Sequence, residues 1–132
     1  MPMTPRILVA DDDDGVRQLM RLIFSREGFE VIEASSGAQA LARAVESPPS
    51  LIVLDIMMPD MDGYAACREL KTDRRTSHVP VIFMSAMENY QGISNPGKYG
   101  ADDWVRKPVS PRDLVARVRS VLNHRNGATA AI

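Results

Sequence analysis

Acidic side chains follow two short apolar runs of this sequence, at the point where each run ends. The run at 7–10 leads into Asp11 and Asp12, and the run at 51–54 leads into Asp55. Consecutive apolar residues bounded by turn signals are typical of a strand that is buried on both faces of a parallel sheet. If the two strands run parallel, their carboxyl ends deliver these acids to one edge of the sheet.

Carboxylates packed this closely repel one another unless a cation neutralises them. A ligand set made only of oxygen atoms suits a hard divalent ion, and Mg²⁺ is the usual choice. The sequence therefore predicts a magnesium site and chemistry on phosphoryl groups. We expect Asp12 and Asp55 to bind the ion directly and Asp11 to lie beside them, where it holds a metal-bound water or a second ligand position. The backbone carbonyl of Met57 is expected to complete the protein's share of the ligands.

Asp55 is the candidate nucleophile. A carboxylate can attack phosphorus and form an acyl phosphate when a metal ion screens the approaching negative charges. On its own, Asp55 would also fit an ordinary turn residue after a strand. The acidic pair after a second strand argues against that simpler interpretation. Pro59 and Gly63 are expected to shape the loop that presents Asp55.

Three further side chains, from later in the chain, could take part in the same chemistry. Lys107 would supply the positive charge that a transferred phosphoryl group needs, although its spacing alone fits an exposed lysine before a turn. Its bond to Pro108 is a candidate cis peptide. Ser85 would offer a hydroxyl group to a phosphoryl oxygen, or it simply ends a strand. Trp104, the sole tryptophan, is either a core residue or a rotamer switch that senses the state of Ser85.

Patterns typical of strands and helices alternate five times along the chain. Apolar residues spaced as on one helical face follow the first strand, and Gly28 ends that helix. Ser36 is placed to cap the second helix, and Ser110 and Pro111 begin the last one as a cap followed by proline. Strands are expected at 7–10, 30–34, 51–54, 81–84 and 104–106.

Repeated strand–helix units with short loops imply a parallel sheet that is covered by helices on both faces, with right-handed crossovers. Ligands in such folds bind beyond the carboxyl ends of the strands. The predicted site residues that fall at this edge are Asp11, Asp12, Asp55, Ser85 and Lys107. Because all of these polar groups fall at one edge, they indicate a functional site and not a set of unrelated surface residues.

The segment 87–100 is the exception to the helical pattern. Gly92, Asn95, Gly97 and Gly100 argue against a regular helix there. We therefore expect a loop or a distorted, shortened fourth helix, with a short helix starting at Pro96 as an option.

The composition sets broad limits on function. With 132 residues, 16 Lys and Arg, and 17 Asp and Glu, the chain is expected to form one domain with a formal net charge of −1. Charge therefore gives no global reason to expect nucleic-acid or membrane binding. A lone cysteine, Cys67, fits a reducing compartment. No apolar stretch approaches the ~20 residues that span a bilayer, and the start does not resemble a signal peptide. We expect a cytoplasmic protein.

Together, these residues resemble the receiver domain of bacterial two-component response regulators. The anchors are ILVADDDD, LIVLDIMMPDMDGY, VPVIFMSA and GADDWVRKP, in the order and with the spacing of that family. The resemblance spans roughly residues 5–122, with an N-terminal extension at 1–5 and a flexible tail or linker at 123–132. It implies a doubly wound, flavodoxin-like fold with a five-stranded parallel sheet of order 2-1-3-4-5.

The resemblance also assigns roles to the site residues. It implies that Asp55 accepts a phosphoryl group in a Mg²⁺-dependent reaction, with Mn²⁺ as an acceptable substitute. Asp11 and Asp12 match the family's other metal-binding acids, and Lys107 matches its phosphate-binding lysine. Ser85 and Trp104 match the two positions of the family's conformational switch. At the aromatic position, Tyr or Phe is more common in the family than tryptophan.

The same resemblance implies partners. The phosphoryl group would come from a histidine kinase or a phosphotransfer protein, and the signal would pass to a downstream protein or output domain that the sequence does not identify. The domain would be a phosphoprotein of signal transduction and not an enzyme, catalysing only its own phosphotransfer and dephosphorylation. Direct contact with nucleic acid or membrane is not expected, and a phosphorylation-dependent dimer is one option.

Two alternatives compete with this interpretation. The acids at 12–14 resemble the Asp-x-Asp opening of haloacid dehalogenase-like phosphatases, which also form an aspartyl phosphate. The lysine of that family normally precedes a later acidic pair, whereas Asp102 and Asp103 here come before Lys107, and Asp55 would have no role. The second alternative is a pseudo-receiver that binds partners without being phosphorylated. The complete set of acids, hydroxyl group and lysine argues against it.

Overall fold

Apolar strands and amphipathic helices alternate along the chain in this computed structural model, which describes residues 4–86 and 96–130. The described elements, in chain order, are β1 (Arg6–Ala10), α1 (Asp14–Arg26), β2 (Glu30–Ala34), α2 (Gly37–Glu46), β3 (Leu51–Asp55), α3 (Gly63–Thr72), β4 (Val81–Ser85), a 3-10 turn (Pro96–Tyr99), β5 (Asp103–Arg106) and α4 (Pro111–Ala130).

The strands form one parallel sheet of order β2-β1-β3-β4-β5. This confirms the predicted fold class and strand order. All residues of β3 and β4 are buried, because each strand has a neighbour on both sides and helices over both faces. The apolar runs without alternation follow from this position.

Two apolar clusters cover the two faces of the sheet. One side of β1 and β3 packs with buried residues of α2 and α3, such as Ala44 and Leu70. The other side packs with residues of α1 and α4, such as Phe24 and Val118. The helices are thus distributed over both faces, as expected for right-handed crossovers between parallel strands.

Polar side chains fix where the helices begin. Asp13 caps α1 by accepting hydrogen bonds from the backbone N–H groups of Gly15 and Val16, at 2.8 and 3.2 Å. Ser36 caps α2 through Gln39 N at 3.1 Å, as predicted. These acceptors satisfy donors that have no partner within the helix.

Two predicted segments need comment: the fourth helix, which lies partly outside the described residues, and the C-terminal tail, which differs from the prediction. The irregular fourth helix was expected at 87–100; residues 87–95 are outside the described part, and a 3-10 turn occupies Pro96–Tyr99. The flexible tail was expected from 123, but helical backbone continues to Ala130, since extending an existing helix costs far less than starting one. The domain boundary at 122 stays a prediction. Within the described residues, no helix combines the length and apolar character needed to cross a membrane.

The start of α3 packs against the end of β3 with no room for a side chain. The backbone N–H of Gly63 donates to Ile56 O at 2.8 Å. A Cβ atom at Gly63 would lie 2.7 Å from Asp55 O and from Ile56 Cα. Glycine is therefore required here because of this close approach, which brings α3 against the strand that ends in Asp55.

We predict that Gly63→Ala destabilises the fold by about 1–3 kcal/mol, as expected for overpacking against backbone that cannot move aside. Gly15→Ala is the matched control, because its Cβ would meet only the Asp13 side chain, at 3.2 Å, and alanine favours a helix. The free energy of unfolding in urea measures both effects. Equal stability of the two variants would contradict the close approach at Gly63.

Candidate functional site

Backbone pairing places Asp11 and Asp55 side by side. Ala10 pairs with Leu54 in the register of β1 and β3, so the two acids occupy the next position on each strand. The N–H of Asp11 donates to Ala34 O at 3.0 Å, which keeps this residue in line with the sheet. The predicted meeting of acids at the carboxyl edge therefore follows from parallel register.

The three predicted metal-binding acids lie together. One carboxylate oxygen from each of Asp11, Asp12 and Asp55 lies within 4.8 Å of the others. Asp11 is fully buried and Asp55 is 2 % exposed, whereas Asp12 faces solvent. A set of oxygen ligands that is buried on one side and open on the other fits Mg²⁺, which usually retains several waters.

Lys107 lies within ion-pair distance of both buried acids. Its Nζ is 2.7 Å from Asp11 Oδ2 and 3.3 Å from Asp55 Oδ2. The chain reaches this point from β5: the N–H of Lys107 donates to Ser85 O at 2.9 Å, and the predicted cis peptide joins Lys107 to Pro108. The interpretation of Lys107 as an exposed lysine is therefore wrong.

The ammonium group of Lys107 is held in its charged form. Burial alone would lower its pKa, but the hydrogen bond to Asp11 and the negative charges of Asp55 and Asp11 outweigh burial and raise the pKa above its ordinary value. A protonated Lys107 keeps its positive charge beside the Asp55 carboxylate.

For Asp55, in contrast, the surroundings disfavour the charged form of the side chain. Burial and then the negative charge of Asp11 raise its pKa from 3.8 to about 6, although Lys107 and the N–H of Met57 oppose the change. One cation thus offsets the repulsion between two buried acids only in part. A pKa near 6 leaves Asp55 ionised, and able to act as a nucleophile, at neutral pH.

The loop after β3 contributes backbone to the site. The N–H of Met57 donates to Asp55 Oδ1 at 3.1 Å, and the Met57 side chain is half exposed. The backbone of Met57 thus lies beside the carboxylate. The predicted use of its carbonyl as a metal ligand stays a prediction.

Ser85 and Trp104 lie on one face of the sheet. Phe83 pairs with Trp104 and Ser85 pairs with Arg106; since side chains alternate along a strand, Ser85 and Trp104 share a face at successive positions. Ser85 is 1 % exposed, and Trp104 packs against the cluster under α2 and α3. The two predicted switch residues are thus near neighbours, and their switching role stays a prediction.

Two residues that support the site were missed by the sequence analysis. Arg17 Nη1 donates to Asp11 O at 2.7 Å, while its Nε lies 3.3 Å from Glu33 Oε1. Asp60 accepts from two backbone N–H groups at the start of α2. Neither an arginine on an amphipathic helix nor an aspartate in an acidic loop carries a sequence signal for contacts with the backbone of another segment.

Comparisons with known proteins agree on one family. A family model described as "Response regulator receiver domain" matches residues 7–119. The chain is 42% identical over 127 residues to a "Probable transcriptional regulator ycf27" of Pyropia yezoensis, covering 96% of this chain and 51% of that protein. It is 37% identical over 118 residues to the "DNA-binding dual master transcriptional regulator RpaA" of Synechocystis sp., covering 89% and 49%.

Solved structures show the same fold. A "response regulator receiver domain protein (CheY-like)" from Methanospirillum hungatei superposes with a TM-score of 0.88 at 27% identity, over 96% of this chain and 99% of that one. The chain spans about half the length of the curated relatives it matches. The similarity therefore concerns one domain of those longer proteins.

We predict that Asp55→Asn stabilises the metal-free protein above pH 6. The unfolded carboxyl titrates near 3.8 and the folded one near 6, so the folded state holds the proton more tightly and loses stability as pH rises through that window. Removing the charge should raise the unfolding free energy at pH 7.5 by roughly 1–3 kcal/mol, with no difference near pH 3. Urea unfolding in EDTA measures it.

The control for this prediction is Asp12→Asn, because Asp12 faces solvent and should have a smaller effect in EDTA. Added Mg²⁺ should stabilise the wild type more than Asp55→Asn, since a ligand that binds only the folded state raises its stability. A wild type that is more stable than Asp55→Asn at pH 7.5 in EDTA would contradict the electrostatic account.

Proposed function

Since this chain belongs to the receiver domains of two-component response regulators, we propose that Asp55 is its phosphoryl acceptor and that Asp11, Asp12 and Lys107 assist the transfer. The observation that carries the proposal is the geometry around Asp55. Carboxylate oxygens of three acids meet within 4.8 Å, and an ammonium group lies 3.3 Å from Asp55 Oδ2.

The proposed reaction is a direct transfer of the phosphoryl group to Asp55. A carboxylate oxygen of Asp55 attacks the phosphorus of a phosphohistidine, a P–O bond forms as the P–N bond breaks, and the imidazole leaves with the electron pair. Mg²⁺ held by Asp11, Asp12, Asp55 and the carbonyl of Met57, or Mn²⁺ in its place, would neutralise charge on the phosphoryl oxygens.

The protein's own groups do the remaining work. Lys107 keeps a positive charge beside Asp55, where the product gains negative charge. The N–H of Met57 fixes the orientation of the attacking carboxylate through its bond to Oδ1. We assign Ser85 as the hydroxyl group that contacts a phosphoryl oxygen, and Trp104 as the aromatic residue that responds to it.

The setting of this reaction is part of the proposal. The phosphoryl donor is a histidine kinase or a phosphotransfer protein, and the protein works in the cytoplasm, as its lone cysteine favours. The domain is a signalling domain; we propose that its catalysis is limited to its own phosphorylation and dephosphorylation. Its relatives described as transcriptional regulators are about twice as long, so an attached output domain is a proposed partner. A phosphorylation-dependent dimer stays a prediction.

We predict that acetyl phosphate with Mg²⁺ adds one phosphoryl group to the protein, and that Asp55→Asn accepts none because it lacks the nucleophilic oxygen. Intact-mass spectrometry measures the product. Asp73→Asn is the matched control: Asp73 lies at the far end of α3, paired with Arg75, and its variant should be labelled like the wild type. EDTA should abolish labelling.

An unlabelled wild type, under conditions that label another receiver domain, would overturn the proposal and favour the pseudo-receiver. Labelling of Asp55→Asn equal to the wild type would place the acceptor elsewhere. Repeated turnover of a small phosphatase substrate would instead favour the phosphatase alternative.

A further inference from the structure

The loop at 56–62, here called the acceptor loop, is held at both ends. The N–H of Ile56 donates to Met84 O at 3.0 Å, which continues the sheet by one residue. At the other end, Gly63 N donates to Ile56 O at 2.8 Å. Between these points lies Met57, whose N–H contacts the Asp55 carboxylate. The position of the loop therefore sets the position of backbone groups at the site.

The far side of the acceptor loop is bound to a different element. Asp60 Oδ1 accepts from Gly37 N at 2.9 Å, and its Oδ2 accepts from Ala38 N at 2.9 Å. Ser36 caps α2 through Gln39 N, so Asp60 takes the donors that this cap leaves. The two bonds lower the pKa of Asp60, and its negative charge lies at the positive end of the α2 dipole.

A second contact reinforces the first. A Cβ atom at Gly37 would lie 2.3 Å from Met61 Cγ and 3.5 Å from Asp60 Oδ1. At Gly37, the backbone at the start of α2 therefore lies directly against the side chains of Asp60 and Met61 in the acceptor loop. A larger residue at 37 would force the Met61 side chain to shift, so the two segments approach closely here because position 37 is glycine.

We propose that Asp60 is a positioning residue for phosphoryl transfer: by binding the start of α2, it holds the acceptor loop so that the backbone of Met57 faces Asp55. Asp60 itself is exposed and acts through Met57. This inference rests on the proposed function of Asp55. A small displacement of groups that orient a reacting atom can lower a rate by about 100-fold, so a loosened loop has a measurable effect.

The test compares Asp60→Ala with Ser36→Ala. Both variants lose a cap of α2, but only Asp60→Ala releases the loop, so Ser36→Ala controls for destabilisation of that helix. We expect Asp60→Ala to lower the rate constant for phosphorylation by acetyl phosphate with Mg²⁺ by about tenfold. We also expect faster amide hydrogen exchange in the peptide 56–63 without metal. Ser36→Ala should leave both close to the wild type.

Asp60→Asn separates charge from hydrogen bonding. It removes the same charge as Asp60→Ala, but its amide oxygen can still accept one of the two bonds, so an intermediate effect on both measurements is expected. Should Asp60→Ala fail to fold, Asp60→Asn takes its place, and wild-type behaviour in both measurements would overturn the inference.

The remaining outcomes are also decisive. Equal effects of Asp60→Ala and Ser36→Ala would overturn the inference, because Asp60 would then only cap α2. A wild type that accepts no phosphoryl group would contradict the proposed function instead. In that case the exchange measurement alone would decide whether Asp60 holds the loop.

Discussion

Two buried carboxylates share one ammonium group in this protein, and the design of the site follows from that imbalance. Lys107 Nζ lies 2.7 Å from Asp11 and 3.3 Å from Asp55, both of which are almost fully removed from solvent. Burying a charge is costly unless it is paired, and one cation cannot neutralise two anions. Burial and the uncompensated charge raise the pKa of Asp55, and a divalent cation would offset the excess negative charge.

The acids cannot reduce this repulsion by moving apart, because the backbone around each is fixed. Asp11 is held by β2 through Ala34 O and by the Arg17 guanidinium, which binds its carbonyl. Asp55 ends a strand with neighbours on both sides. The favourable packing of the parallel sheet therefore offsets an unfavourable charge distribution at its edge. A bound cation would therefore stabilise this site more than it would stabilise a solvated acidic cluster.

The sequence was sufficient for the parts of the site that depend on strand direction. Apolar runs ending in acids predict buried parallel strands, and parallel strands place Asp11 and Asp55 together whatever the loops do. The supporting contacts were not predictable. Arg17 and Asp60 bind backbone groups of other segments, and neither has a local pattern that distinguishes it from solvated polar residues. The extension of α4 was missed because the polar residues after 122 carry no apolar stripe, although their backbone is helical.

The charge imbalance also connects the site to the last helix. Lys107 follows β5, and its N–H binds Ser85 O on β4. Within β5, Trp104 O accepts from Arg117 Nη1 of α4 at 3.2 Å, and the same Nη1 lies 2.9 Å from Asp103 Oδ1. A phosphoryl group on Asp55 would add negative charge where Lys107 already offsets two acids only in part. Lys107 directly follows β5, the strand that carries Trp104, and precedes the start of α4 by only a few residues. Among the described residues, Lys107 is the cation paired with Asp55, so a change of charge on Asp55 alters the electrostatic environment of this lysine first.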